Sequence, residues 1–219
     1  MSDHYLTIRA LSIGEFKDKG SKFIGYVFPI KTDVDMDEEM DKIKKDHFKA
    51  RHFCYAYTLG NDPSEERSND DGEPSGTAGL PMLGQLKSNQ LKNVGAVVVR
   101  YFGGTKLGTS GLIQAYKGAV KEAISEADIY EYVVSNQVCI SFDYSLMGTL
   151  MNLIKKQDLT IVKKDFNETA LLILEMREST TVAKLMTLKS ALLNISEEEY
   201  LSRKIKDVPG VKIEILTDA

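Results

Sequence analysis

Apolar positions along this chain first alternate, then recur at helical spacing, then alternate again. Residues 5–16 and 21–30 read as strands, and Asp18-Lys19-Gly20 between them is turn chemistry, so a hairpin is expected. Met36, Met40, Ile43 and His47 repeat with helical period while Asp and Lys fill the gaps, which predicts an amphipathic helix over about residues 34–50. Beyond it, Phe53, Tyr55, Tyr57 and Leu59 alternate with His52, Cys54, Ala56 and Thr58. That pattern predicts a strand with one aromatic face and one face of small or polar groups. Residues 60–79 hold almost no large apolar side chain and form a long polar loop, the kind that has a function or lacks order. Pro81 suits the first turn of a helix reaching about Leu91. The run at 94–101 is nearly all apolar and β-branched, the mark of a strand buried on both faces. It ends in FGGTKLGTSG; Leu112, Ile113, Tyr116, Val120 and Ile124 then form a helical stripe, with Thr109 or Ser110 available as N-cap.

The rhythm changes after about residue 131. Strands at 138–142, 159–166, 170–176 and 208–216 are separated by helical stripes at Leu146, Leu150, Met151, Ile154 and at Val182, Leu185, Met186, Leu192, Leu193. The order β-α-β-β-α-β is the split arrangement of ferredoxin-like folds. An α+β chain of two domains is therefore expected, with boundaries at 1–131 and 137–219. No internal repeat or low-complexity segment interrupts this reading.

Composition narrows the function classes. The 219 residues carry a net charge of −4, and acidic residues slightly outnumber basic ones on both sides of the boundary. Bulk attraction to nucleic acid is thereby excluded, and any RNA contact must be a local patch. No apolar run is long enough to span a membrane, and MSDHYLTIRALSIGEF has no basic start with an apolar core, so no membrane partner or secretory signal is expected. Two widely separated cysteines, Cys54 and Cys139, fit a reducing, cytoplasmic setting and no zinc spacing.

Two segments carry candidate chemistry. In DDGEPSGTAGLP, Asp71 and Glu73 flank a glycine, and Ser75 and Thr77 supply hydroxyls. The carboxylates are candidates for acid/base work or for a cation, yet the spacing fixes no geometry, and no basic residue lies near to activate a hydroxyl. An Asx-type network bonding the loop's own backbone is the competing reading, and the favoured one. In VVVRYFGGTKLG, a strand, a glycine-rich turn and a helix aim backbone N–H groups at an anion, with Gly103 and Gly104 permitting close approach and Lys106 adding charge. The order matches neither a P-loop nor a dinucleotide fingerprint, so the glycines serve equally well as turn and packing residues. Arg100 and Tyr101 suit phosphate pairing and base stacking, while pairing of Arg100 with Asp70, Asp71 or Glu73 is the structural alternative. His52 shares a strand face with Cys54, which reads as a packed thiol beside a hydrogen-bonded imidazole. Lys155-Lys156 and Lys163-Lys164 are the basic doublets with reach toward RNA in the second half. No cofactor or metal signature is present. The reading as a whole requires the two glycine-rich segments to meet, with Arg100 and Asp71 as the leading brace.

The stretches DDGEPSGTAGLPML and LKNVGAVVVRYFGGTKLGTSGLIQAY, with KGSKFIGYV and HFCYAYTLG, resemble the Impact family in its bacterial YigZ branch, over essentially the whole chain. The resemblance implies an N-terminal β-α-β domain like those of a ribosomal protein, elongation factor G and the GHMP kinases. It also implies a C-terminal ferredoxin-like domain like the fifth domain of elongation factor G. Eukaryotic members regulate translation by competing for an activator of an initiation-factor kinase. A non-enzymatic binding protein in translation control is implied, with RNA, the ribosome or a translation-factor protein as partner and no DNA sequence recognition. A protein-interaction adaptor, or an enzyme taking a phosphorylated small molecule at the Gly-rich loop, are the alternatives. No catalytic residue carries over. Where many relatives have Gly-Gly-Leu after KLG, this chain has Thr109-Ser110-Gly111-Leu112.

Overall fold

The computed structural model describes residues 3–60, 65–205 and 207–216, so part of the polar loop, at 61–64, lies outside the described residues. The chain forms two compact units, Tyr5–Tyr132 and a second of Val133–Ala219 with Met1–His4. Helices and three sheets make it a mixed α+β protein.

In the first unit the elements run β1 (His4–Ile8), β2 (Ser12–Asp18), β3 (Ser21–Pro29), α1 (Asp33–Asp46), β4 (His52–Thr58), β5 (Glu66–Asn69), α2 (Gly79–Ser88), β6 (Val94–Tyr101), α3 (Gly108–Ser125) and β7 (Ile129–Val133). β1 pairs with β7, and five strands form a sheet of order β2-β3-β6-β4-β5. Its neighbours all run antiparallel. Asp18 pairs with Ser21 across Lys19 and Gly20, whose φ values of 43° and 78° suit a two-residue hairpin turn.

β6 sits in the centre of that sheet and is buried from Val94 through Arg100. Side chains alternate across a strand, so one run of valines serves two cores. Val94, Ala96 and Val98 pack with residues of α2 and α3, among them Met82, Leu86, Tyr116 and Val120. Val97 and Val99 pack with Met36, Met40 and Ile43 of α1. The sheet is therefore covered on both faces. α3 lies hard against β2 and β3 because Gly14 and Gly25, paired directly in that hairpin, present no side chain. A Cβ on Gly14 would lie 2.2 Å from the Ala123 nitrogen, and one on Gly25 2.4 Å from the Ala119 oxygen.

The strand read at 5–16 is two strands, β1 and β2, the helix expected to reach about Leu91 is α2 and ends at Ser88, and the last strand, expected from 208, begins at Val211. Two further boundaries differ from expectation for a local reason. The helix expected at 34–50 is α1, ending at Asp46 and begun by a capping box between Thr32 and Asp35. α3 begins at Gly108 with Leu107 as its N-cap, so Thr109 and Ser110 lie inside the first turn and no side chain caps it. The φ of +72° at Gly108 turns the chain into the helix before either hydroxyl is reached.

The second unit runs β8 (Ser135–Phe142), α4 (Met147–Lys156), β9 (Thr160–Phe166), β10 (Ala170–Arg177), α5 (Glu178–Leu192), α6 (Glu197–Ser202) and β11 (Val211–Leu216). Its sheet has the order β11-β8-β10-β9, with every neighbour antiparallel. Val138, Ile140, Phe142, Leu172, Leu174 and Met176 form its core with Leu150, Ile154 and Leu188. Lys163 and Lys164 lie on the edge strand β9, where lysines also discourage pairing with another chain. Among the described residues no helix is long and apolar enough to cross a membrane.

Candidate functional site

The acidic loop enters the site as a turn. Asp70 to Glu73 is closed by the Glu73 N–H donating to the Asp70 carbonyl at 2.9 Å. Asp71 and Gly72 both have positive φ, 40° and 83°, which is the mirror-image turn that Asp-Gly favours. The Asp70 carboxylate then gathers three backbone donors: Gly76 N–H at 2.8 Å, Ala78 N–H at 2.9 Å and Gly79 N–H at 2.8 Å. Ala78 is the N-cap of α2 and Gly79 its first residue, so Asp70 fills the positive end of that helix from within the protein. Burial raises the Asp70 pKa, but the three N–H bonds outweigh it and hold the carboxyl below its ordinary range. The buried Thr77 hydroxyl donates to the Pro74 carbonyl at 2.6 Å, whereas Ser75 is exposed. The loop bonds its own backbone, as the turn-network reading holds.

The brace between the two loops is Arg100 with Glu73, not with Asp71. Arg100 Nη1 donates to Glu73 Oε1 at 2.5 Å, and the Tyr116 hydroxyl donates to the same oxygen at 2.8 Å. All three residues are buried, and Arg100 also lies 5.5 Å above the Phe23 ring and 5.6 Å from that of Phe102. Burial pushes the Tyr116 phenol well up, with Cys54 and Glu73 adding to it, so Tyr116 stays a donor. Asp71 is turned elsewhere: its Oδ2 accepts the Phe53 N–H at 2.6 Å, and the residue lines a recess with Asp33, Asp37 and Lys44 on the α1 side. The mirror-image turn accounts for this, because it reverses the chain between the two carboxylates.

Arg100 and Tyr101 are neighbours on β6, so their side chains leave opposite faces of the sheet. The Tyr101 hydroxyl meets His47 Nδ1 at 2.8 Å, and His47 Nε2 meets the Tyr26 hydroxyl at 2.5 Å. The sequence reading places His47 on the apolar stripe of the helix expected at 34–50 and gives it no further role; in the structure it is the C-cap of α1. His52 pairs with Arg100 in register, and its Nδ1–H donates to the Asp71 carbonyl at 2.9 Å. Beside it the Cys54 thiol donates to the Asp70 carbonyl at 3.0 Å, and burial pushes its pKa up to about 12. A thiol so placed is not a nucleophile at neutral pH.

The glycine-rich segment meets the acidic one around a cavity of about 410 Å³, lined by Glu73, Pro74, Arg100, Phe102, Lys106, Leu107, Gly108, Thr109 and Leu112. Gly103 approaches the protein rather than a ligand: a Cβ there would lie 1.9 Å from the Gly20 carbonyl carbon, and its N–H donates to Ser21 Oγ. Gly104, with φ +87°, has open space around it. A smaller cavity of about 250 Å³, lined by Lys49, Arg51, His52, Arg100, Tyr101 and Phe102, shares the Arg100–Phe102 wall. Among the described residues, no group of three or more His, Cys, Asp or Glu is placed to hold a metal ion.

The Impact N-terminal domain family matches residues 19–124. Over 213 residues the chain is 34% identical to the IMPACT family member YvyE of Bacillus subtilis, covering 95% of this chain and 98% of that protein. This chain belongs to the IMPACT family. It is also 33% identical over 159 residues to the IMPACT family member YigZ of Escherichia coli, covering 72% and 76% of the two chains. A crystal structure described only as a hypothetical protein covers 100% of both chains, with a TM-score of 0.65 at 25% identity. The two loops that brace one another both fall within the stretch matched by the Impact N-terminal domain.

Proposed function

We propose that this IMPACT family protein is a non-enzymatic binding protein of translation control, and that it grips RNA on or near the ribosome. The observation that carries the reading is the smaller cavity. Its lining combines Lys49, Arg51, His52 and Arg100 with Tyr101 and Phe102 and includes no carboxylate. Phe48, the chain neighbour of Lys49, is 78% exposed, with the Lys49 ammonium 5.5 Å from its ring. In a chain of net charge −4 this is a local basic and aromatic patch, the pairing of features that holds single-stranded RNA through phosphates and stacked bases. The groups a catalyst would use are meanwhile tied into the scaffold: Asp70, Glu73, Thr77 and Cys54 are engaged with backbone or buried partners.

The fold adds support. The element order of the second unit, with its fourth, first, third and second strands side by side, fits the expected ferredoxin-like domain. The first unit is proposed as the ribosomal-protein-like domain that the resemblance implies, and a boundary between 131 and 137 is proposed with it. Both halves of the chain resemble pieces of translation factors, which is an argument by analogy from fold.

Sedimentation of the protein through sucrose with purified ribosomal subunits tests the reading. Co-sedimentation that falls as salt rises, and falls further in a Lys49→Glu/Arg51→Glu variant, is the expected result. Retention of a protein partner after nuclease treatment, with no subunit binding at low salt, would instead support the adaptor and overturn the RNA reading.

A further inference from the structure

The larger cavity shares Arg100 and Phe102 with the smaller one but is otherwise lined by different residues, and the RNA reading does not use it. α3 opens into this cavity: Gly108 and Thr109 line it, no side chain caps the helix, and its first turn carries no acidic residue. The first N–H groups of an eighteen-residue helix thus present a positive pole that no residue of its own first turn offsets. α2 shows what such a pole takes in this molecule, because its N-terminus is filled by the Asp70 carboxylate. At α3 the matching position is open.

A second observation, independent of the helix, points to the same ligand. The Arg100 side chain lines this cavity and is only 9% exposed, yet its Nε–H has no hydrogen-bond partner. A buried guanidinium N–H without an acceptor is costly. The Nε itself is shut off from solvent, so a small turn of the guanidinium toward the cavity would let an anion there satisfy it. Lys106 adds a cation at the rim. The carboxylate in the lining, Glu73, already accepts from Arg100 and Tyr116 through one oxygen. Asp18 approaches α3 on the Gly111 side and is not part of the lining. The rest of the lining is apolar: Pro74, Leu107, Leu112 and the 60% exposed ring of Phe102.

We infer that this cavity is a nucleotide phosphate site: the phosphate seats on the N-terminal N–H groups of α3, Lys106 and the free Nε–H of Arg100, and the ring of the nucleotide lies against Phe102. A phosphate alone leaves the apolar part of the cavity unused, whereas a flat ring covers it. The ligand chemistry is shared by a free nucleotide and by one residue of an RNA strand. The inference stands apart from the RNA reading, since Lys106 belongs to this cavity alone and Arg51 to the other.

Titration of the isotope-labelled full chain, followed by NMR at constant ionic strength, tests it. The probes are inorganic phosphate, a nucleoside monophosphate and a short oligoribonucleotide. Saturable shifts of the Thr109 and Ser110 amides and of Arg100 Nε–H are expected, with the nucleotide binding about tenfold tighter than phosphate. Phe102→Ala should bring the nucleotide down to the affinity of phosphate. The exposed Lys106→Glu change should weaken every probe, while Arg51→Glu leaves the mononucleotide unaffected. Saturation by the mononucleotide assigns the site to a free ligand; saturation by the oligoribonucleotide alone assigns it to a strand. Absence of saturable shifts with any probe, or equal shifts in Lys106→Glu, overturns the site. Equal affinity for phosphate and nucleotide overturns the ring contact.

Discussion

At the scale of single residues the controlling fact is where each carboxylate of the acidic loop ends. Three acidic side chains lie within four positions, and each meets a different fate: Asp70 on the α2 N-terminus, Asp71 on the Phe53 N–H, Glu73 on Arg100 and Tyr116. The last of these is a buried ion pair, for which removing one partner costs far more than replacing both. Glu73→Ala should therefore lower unfolding free energy by about 3 kcal/mol, because it strands the Arg100 guanidinium. The double change Glu73→Leu/Arg100→Leu should recover a large part of that loss. Urea denaturation of the two variants and the parent checks this; a double variant no more stable than Glu73→Ala would show that the pair contributes more than its own neutralisation. The pairing was only partly legible. Sequence reasoning names Glu73 among the possible partners of Arg100 but favours Asp71; the Asp71-Gly72 dipeptide is the available signal of the mirror-image turn that sends the two carboxylates apart.

At the scale of elements, what was readable depended on whether the signal was local. The buried run of β6, the aromatic alternation of β4 and the stripe of α3 are local patterns, and each element lies where its pattern falls. β5 and the ribbon strand β7 escape the pattern reading, since both carry mostly polar or exposed side chains and owe their shape to neighbours. The short helix α6 escapes it too, although Ser196, which caps the Glu199 N–H, and the acids Glu197 to Glu199 are a local signal of its start. The Gly14–Gly25 pair is the same lesson in reverse: neither glycine marks a turn, and only the passage of α3 explains them. For α2 the dependence on a distant residue is testable. Asp70→Ala removes the acceptor of three N–H groups and should cost about 2 kcal/mol near neutral pH. The folded-state pKa of Asp70 lies below its ordinary value of 3.8, so this contribution is present in full above that value. It is lost as pH falls through the depressed folded-state pKa. The stability gap between parent and variant should accordingly hold steady down to the ordinary carboxylate range and narrow only in stronger acid; a gap that narrows already near neutrality would assign the effect to another group.

At the scale of the whole molecule, two sets of core residues exist with no member in common. Among the described residues, the cores around β6 draw on residues between Leu6 and Ala127, and the core of the second sheet on residues from Val138 to Ile213. Each sheet is completed by strands of its own unit, so neither needs the other to satisfy its backbone. A unit with its own core and its own hydrogen-bonded sheet has what independent folding requires. The fragment 5–132 should then unfold in one cooperative transition at the midpoint seen for that unit in the full chain. The fragment 133–219 should fold too, but less stably. It lacks Asp3, whose carboxylate accepts from the Ser179 hydroxyl at 2.5 Å and whose carbonyl accepts from Val134 N–H at 2.7 Å. Restoring the first four residues through a linker should raise its midpoint, and differential scanning calorimetry of the three proteins decides the matter. If 5–132 alone fails to melt cooperatively, the two cores are not separate folding units. The basic-aromatic patch and the cavity at the head of α3 would then have to be tested only in the intact chain.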